Sequence, residues 1–333
     1  MYYKYSLQPL IAASLLIALI LASGCTSLGI RSIPMETLKT KYCDTESKFL
    51  EVGGVNVHYK EEGLKDGPVL LLMHGVCASL FTWDGWVTDL KDHYRLIRLD
   101  LPGWGLTGPV ASDWALGGPI KEGETEYNRE NFVKFLDLFM NALEIKKFSI
   151  AGNSFGAFVG WNYSLVYPEK VEKMVLLDPI GYSHDAPWII DLVGLPIVGN
   201  IARVIMPKPF ITNSIKNVYG DPSRIKDGIL DLYFDIAMRP GNKNSYFKIL
   251  KQISQGTNPK TNTVCKDIKR ITTPTLLMWG RDDKWVPVHV LEEWKRDVKD
   301  VKYIVYDGVG HVGMEEIPKR TARDAHSFLS GKS

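Results

Sequence analysis

Residues 148–156 read FSIAGNSFG, and this short stretch decides the fold. The run 148–152 is apolar and bounded by a glycine, as expected of a strand covered on both faces. Gly152-Asn153-Ser154-Phe155-Gly156 follows it, and a helix-like stretch runs on from Ser154 to Tyr167. A G-x-S-x-G sequence between a strand and a helix marks a sharp turn. The turn leaves no room for side chains two residues either side of the serine, hence the glycines. It lifts the Ser154 hydroxyl to the edge of a sheet, beside a helix N-terminus.

Working outward, strand-like and helix-like segments alternate. Residues 49–52 and 55–60 form an opening hairpin on Gly53-Gly54. The runs 69–73, 95–101, 171–177, 275–279 and 303–306 are further strands, and Phe132, Phe135, Leu136, Phe139 and Leu143 recur at helical spacing. This order predicts an α/β fold with a mostly parallel, doubly wound sheet. The interval 182–270 breaks the rhythm. It is punctuated by Pro187, Pro196, Pro207, Pro209, Pro222 and Pro240, and reads as an inserted helical cap between core segments 49–181 and 271–330. Its apolar piece, 188–206, carries Asp191, Pro196 and Arg203, which argue against a membrane span.

A serine nucleophile needs a base and an acid, expected in the order Ser, acid, His. The strand 275–279 ends in Gly280-Arg281-Asp282-Asp283-Lys284-Trp285-Val286-Pro287, and the strand 303–306 in Asp307-Gly308-Val309-Gly310-His311. His311, in a glycine-flanked loop at the same sheet edge, can reach Ser154 and exchange its proton. A carboxylate beyond the preceding strand can orient the imidazole.

Together with His74-Gly75 and the D-x-x-G-x-G-x-[ST] block of residues 100–107, these blocks resemble the α/β-hydrolase superfamily, in its cap-bearing branch, over residues 49–330. The resemblance implies Ser154, Asp283 and His311 as the catalytic triad, with Asp282 and Asp178 as the other acids to weigh. The oxyanion hole falls to the backbone N–H of Phe155, just after the nucleophile, and of Val76, just after His74-Gly75. His74 reads as a structural residue of that turn, and Asp100 and Gly103 as braces of the neighbouring loop. Cys77 is read as packing, with a thiol role as the alternative. Phe81, Trp104 and Trp285 fall near the expected pocket loops. His58, His93, His184, His289 and His326 lie outside the catalytic loop and read mostly as surface residues.

A serine at the elbow, where similar epoxide hydrolases and dehalogenases carry aspartate, points to acyl transfer to water without metal or organic cofactor. The apolar cap suits a small hydrophobic ester, so carboxylesterase or lipase-like action is the leading expectation. Packing of the cap against the core is the plainer reading of the same residues. Gly-Asn-Ser-Phe-Gly also matches carbon–carbon bond hydrolases of ring-cleavage products. Against that, Val76-Cys77-Ala78-Ser79 stands where those enzymes are glycine-rich. A tethered binding module without turnover is a third reading.

The N-terminus carries a separate message. Residues 10–22 read LIAASLLIALILA, with Lys4 upstream and Leu21-Ala22-Ser23-Gly24-Cys25 downstream. This resembles a bacterial lipoprotein signal: cleavage before Cys25, acylation of Cys25, and a tether over 25–48. An uncleaved anchor and an ordinary secretory signal are the alternatives. Two or more acyl chains hold a protein stably on a membrane, so the expected location is the cell envelope, facing the periplasm or exterior. Thr26 leaves the choice of membrane open. Cys43, Cys77 and Cys265 form no disulfide or metal pattern. Of 333 residues, 45% are hydrophobic, which supports a large core. Forty Lys and Arg against 38 Asp and Glu, without a basic block, give no footprint for nucleic acid. None of these features addresses oligomeric state.

Overall fold

The computed structural model describes residues 26–184, 203–257 and 265–331. Eight strands make one sheet: β1 Ser47–Val52, β2 Val55–Gly63, β3 Val69–Met73, β4 Arg95–Leu99, β5 Phe148–Asn153, β6 Val171–Leu177, β7 Thr275–Gly280 and β8 Lys302–Tyr306. Their spatial order is β1-β2-β4-β3-β5-β6-β7-β8. The hairpin β1–β2 is antiparallel and joins β4 antiparallel, and every later pairing is parallel. The helices are α1 Met35–Tyr42, α2 Asp84–Leu90, α3 Arg129–Ala142, α4 Phe155–Val166, α5 Lys208–Val218, α6 Ile229–Ala237, α7 Asn242–Thr257, α8 Cys265–Ile268, α9 Leu291–Asp297, α10 Gly313–Glu316 and α11 Pro318–Leu329.

Local sequence explains the elements that matter for the site. All six residues of β5 are buried, as expected of its largely apolar sequence. In α3, Phe132, Phe135, Leu136, Phe139 and Met140 face the core at helical spacing. Asn128 caps that helix by accepting the Asn131 N–H at 2.9 Å. Because β3, β5, β6, β7 and β8 run parallel and nearly in register, they all end at one edge. Met73 lies opposite Gly152, Leu177 opposite Asn153, and Gly280 opposite Tyr306. The loops after these strands therefore converge, and an open α/β sheet offers its ligand crevice there.

The interval expected to be a cap folds into α5, α6, α7 and α8 over its described part. Residues 185–202 and 258–264 lie outside the described residues. The last two residues of α10, Glu315 and Glu316, clamp this cap to the core. Glu315 accepts hydrogen bonds from Tyr219 and Tyr233 of the cap at 2.5 Å each, and from Thr82 of the core. Glu316 accepts from Gly220 N at 2.9 Å and Asp221 N at 3.2 Å, and from Gly310 N at 2.6 Å.

The stretch expected to be a tether is folded from Thr26 onward. Ile33 N donates to Met238 O at 2.8 Å, and Lys41 and Tyr42 of α1 bind Asp235 of α6 at 2.6 and 2.7 Å. The apolar run 10–22 and Cys25 lie outside the described residues. No helix among the described residues is long and apolar enough to cross a membrane.

Candidate active site

Ser154 sits between β5 and α4 with φ 53° and ψ −111°, a conformation that L-residues avoid. The surroundings impose it. A Cβ on Gly156 would stand 2.3 Å from Met73 O, and one on Gly152 would stand 2.6 Å from Ala157 N. Five described non-glycine residues have positive φ, and three of them, Cys77, Ser154 and Asp178, lie at this strand edge. Strained backbone costs of order 1–3 kcal/mol per residue and concentrates at functional sites.

The structure brings His311 and Asp283 together. His311 Nδ1 and Asp283 Oδ2 are 2.7 Å apart and both side chains are buried. Asp283 Oδ1 accepts the N–H groups of Trp285 at 2.7 Å and Val286 at 3.0 Å, which fixes the carboxylate. The His311 backbone is held from the cap, its N–H donating to Val218 O at 2.7 Å. Its Nε2 is buried without a hydrogen-bond partner and the ring lines a cavity of about 110 Å³. The Trp285 ring stacks on the imidazole at 6.2 Å between centroids.

The oxyanion donors follow from the same convergence. A Cβ on Gly75 would come within 3.1 Å of Ser154 Cβ, so the turn holding Val76 closely approaches the nucleophile. Phe155 opens α4, and the N–H groups of a helix's first turn have no acceptor within the helix. His74 keeps the turn in place: its Nε2 accepts the Leu101 N–H at 3.0 Å and its Nδ1 lies 2.7 Å from Gly75 O. Burial lowers its pKa, which agrees with a neutral ring carrying its proton on Nδ1. Cys77 lines the cavity, and burial pushes its thiol up to about 12, which keeps it un-ionised at neutral pH.

Of the three aromatic residues expected at the pocket, Trp285 lines the cavity and the other two do not. Trp104 is fully buried behind the site, 5.0 Å from the Phe155 ring and 5.8 Å from His74. Phe81 packs toward Tyr42 and His58. Nearness in sequence to a pocket loop, the only sign for these two, says nothing of the direction a side chain takes. The cavity wall comes instead mainly from α5, α6 and α7, through residues such as Phe210, Ile215, Tyr233 and Phe247.

Two residues of the site carried weak sequence signals. Asp178, at the end of β6, accepts the Gly280 N–H at 2.9 Å and also hydrogen-bonds Asp283. Burial, and then the Asp283 carboxylate, raise its pKa well above the usual range, so it stands as a neutral acid donating to its neighbour. From sequence, His184 reads with the surface histidines. It is half-buried, lies beside Trp285, and is near enough to feel the charges of Asp283 and His311. His58 is a second correction to that grouping, being wholly buried against Asp100.

Ligand atoms of Asp178, Asp283 and His311 lie within 4.8 Å of one another, close enough to hold a cation. Yet Asp283 is occupied by three hydrogen bonds and Asp178 Oδ1 by a fourth. That bonding suits a carboxyl pair sharing a proton behind a histidine.

Comparison with known proteins agrees with this fold. The α/β-hydrolase fold family model matches residues 68–193 and 226–318. An uncharacterized hydrolase of Bacillus subtilis is 25% identical, covering 84% of this chain and 96% of its own. A 2-hydroxy-6-oxo-6-(2'-aminophenyl)hexa-2,4-dienoic acid hydrolase of Metapseudomonas resinovorans is 26% identical, covering 86% of this chain and 91% of its own. Relatives named epoxide hydrolase (Caenorhabditis elegans, 27% identical) and monoacylglycerol lipase (Mus musculus, 24%) also match. Among solved structures, a bacterial membrane phospholipase A superposes with a TM-score of 0.72 at 21% identity, over 98% of this chain and 99% of that one.

Proposed function

Because the chain belongs to the α/β-hydrolase fold family, we propose that it is a serine hydrolase acting on hydrophobic carboxylic esters. The observation that carries this reading is the His311–Asp283 pair: its unpartnered Nε2 belongs to a ring lining an apolar cavity, and its loop is tied to the residue before the strained Ser154, with Asn153 Nδ2 donating to His311 O at 2.9 Å. Ser154 Oγ attacks the ester carbonyl carbon while His311 Nε2 takes its proton. The N–H groups of Val76 and Phe155 hold the oxyanion. The tetrahedral intermediate then expels the alcohol, which receives the proton from His311. Water repeats the sequence on the acyl-enzyme, releasing the acid and restoring Ser154. Asp283 keeps the imidazole in the required tautomer and stabilises the imidazolium.

Epoxide opening fits this nucleophile poorly. A serine alkoxide attacking an epoxide would leave an ether, which has no carbonyl for water to attack. The second reading, carbon–carbon cleavage of a dienoate, is favoured by the names of several relatives and by Gly-Asn-Ser-Phe-Gly. A dienoate carries a carboxylate and calls for a cationic partner. Lys243 is the cationic side chain among the described lining residues, and its Nζ already serves three backbone carbonyls. A neutral acyl group meets no such demand.

Hydrolysis of p-nitrophenyl esters of graded chain length, beside a ring-cleavage dienoate, separates the two. The proposal expects ester turnover that rises with acyl length and little change in the dienoate spectrum. Dienoate loss without ester turnover would replace it.

A further inference from the structure

Among the described residues, six large apolar side chains are exposed: Ile30, Leu64, Val166, Val204, Ile205 and Tyr303. Three of them meet at one place. Lys243 Nζ donates to the carbonyls of Gly29 at 2.5 Å, Ile30 at 3.2 Å and Val204 at 2.9 Å. This clamps the segment entering from the N-terminus to the start of the described cap. Gly29, with φ +62°, permits the approach, since a Cβ there would stand 1.9 Å from Met206 O. Lys243 and Met206 both line the catalytic cavity. The exposed trio, at 40%, 57% and 40% exposure, therefore stands at the rim of that cavity.

The sequence around the trio says what covers it. The apolar run ends at Ala22, eight residues before Ile30 (30 − 22 = 8), and eight residues span at most about 28 Å. Cys25 precedes Gly29 by four residues (29 − 25 = 4), a reach of about 14 Å. With the apolar run retained, or with acyl chains on Cys25 in its place, the hydrocarbon that would enter a bilayer lies within that reach. The exposed Arg31 follows Ile30, whereas Arg203, before Val204, turns its guanidinium onto the Phe247 ring at 4.0 Å. An exposed arginine beside exposed apolar residues suits a surface with hydrocarbon below and phosphate headgroups above.

We propose that Ile30, Val204 and Ile205 dock on the lipid bilayer, setting the cavity rim against it, and that the substrate is an acyl ester resident in that bilayer. The substrate half rests on the ester-hydrolase reading above, whereas the docking half does not.

The test uses the full chain reconstituted in phosphatidylcholine/phosphatidylglycerol vesicles. The added tryptophan in Val204→Trp should be quenched by brominated lipids, and the one in Leu64→Trp should not. Ile30→Asp/Val204→Asp/Ile205→Asp changes only exposed positions. It should lower turnover of a vesicle-embedded long-chain ester at least tenfold and leave a water-soluble short-chain ester unchanged. Equal quenching of the Val204→Trp and Leu64→Trp proteins would overturn docking. Quenching at Val204→Trp with equal loss on both esters, or loss on neither, would overturn the substrate half. Wild-type protein that docks but cleaves no ester would count against the ester-hydrolase reading and leave docking standing.

Discussion

Among the described residues, two buried histidine–aspartate pairs share one geometry and have opposite uses. His311 and Asp283 meet at 2.7 Å, and so do His58 and Asp100. Each aspartate also accepts two backbone N–H groups, Asp283 from Trp285 and Val286, Asp100 from Leu80 and Leu106. The difference lies above the ring. The His311 ring lines the cavity, as does Asn153, the residue before the nucleophile, whose Nδ2 donates to His311 O at 2.9 Å. His58 is sealed under Phe49, at 5.0 Å between stacked rings, with Phe81 and Cys43 around it. A pairing of this kind supplies a proton acceptor only where its second nitrogen meets a reacting group. Elsewhere it is a buried ion pair that ties β2 to the loop after β4.

Breaking each pair should separate these uses. Ser154→Ala, measured by single-turnover ester hydrolysis, should remove about 10⁴–10⁶ of the rate with stability kept, as expected of a nucleophile in a working triad. Asp283→Asn should lower kcat by about 10⁴, because the imidazole then adopts the wrong tautomer. Asp100→Asn should instead lower the yield of folded protein and leave kcat per folded molecule near that of the wild type.

The sealed pair also predicts a pH effect. Burial alone would lower the His58 pKa, but the Asp100 carboxylate, helped by Cys43, raises it to about 9. A raised folded-state pKa contributes stability that is complete below the unfolded value near 6.5 and is lost as pH climbs through 9. The difference corresponds to about 3 kcal/mol. Urea midpoints of wild type and His58→Gln should therefore converge between pH 6.5 and 9.5. A gap that widened with pH would contradict the ion pair.

Asp178→Asn should have the smallest effect. An amide can accept the Gly280 N–H and donate to Asp283 just as the neutral acid does, and asparagine tolerates the positive φ of 47°. A change in kcat below about tenfold, under 1.4 kcal/mol, is expected. A larger loss would mean that Asp178 works as a charged acid.

Much of the core was legible in the sequence because its signals are local. A glycine-spaced serine after an apolar run, and loops ending in Asp283 and His311, each announce themselves within a few residues. The parallel register then carries them to one edge. What escaped depends on side chains meeting across long separations. Phe81 and Trp104 sit in the expected loops but point away from the cavity. His58, read from sequence as a surface residue, is buried because β4 brings Asp100 beneath it. Glu315 gathers Thr82, Tyr219 and Tyr233 from three distant segments. The supposed tether folds because Ile33, Lys41 and Tyr42 find partners in α6 and just beyond it, which no pattern in residues 25–48 foretells.

Covalent labelling with a fluorophosphonate, read by intact mass and peptide mapping, tests the central claim most directly. One adduct per folded chain, located on Ser154, is expected. It should be absent in Ser154→Ala, much slower to form in His311→Ala, and unchanged per folded molecule in His58→Gln. A folded wild-type chain that takes no label, or takes it at another residue, would contradict the assignment of Ser154 and the His311–Asp283 pair as the reacting centre.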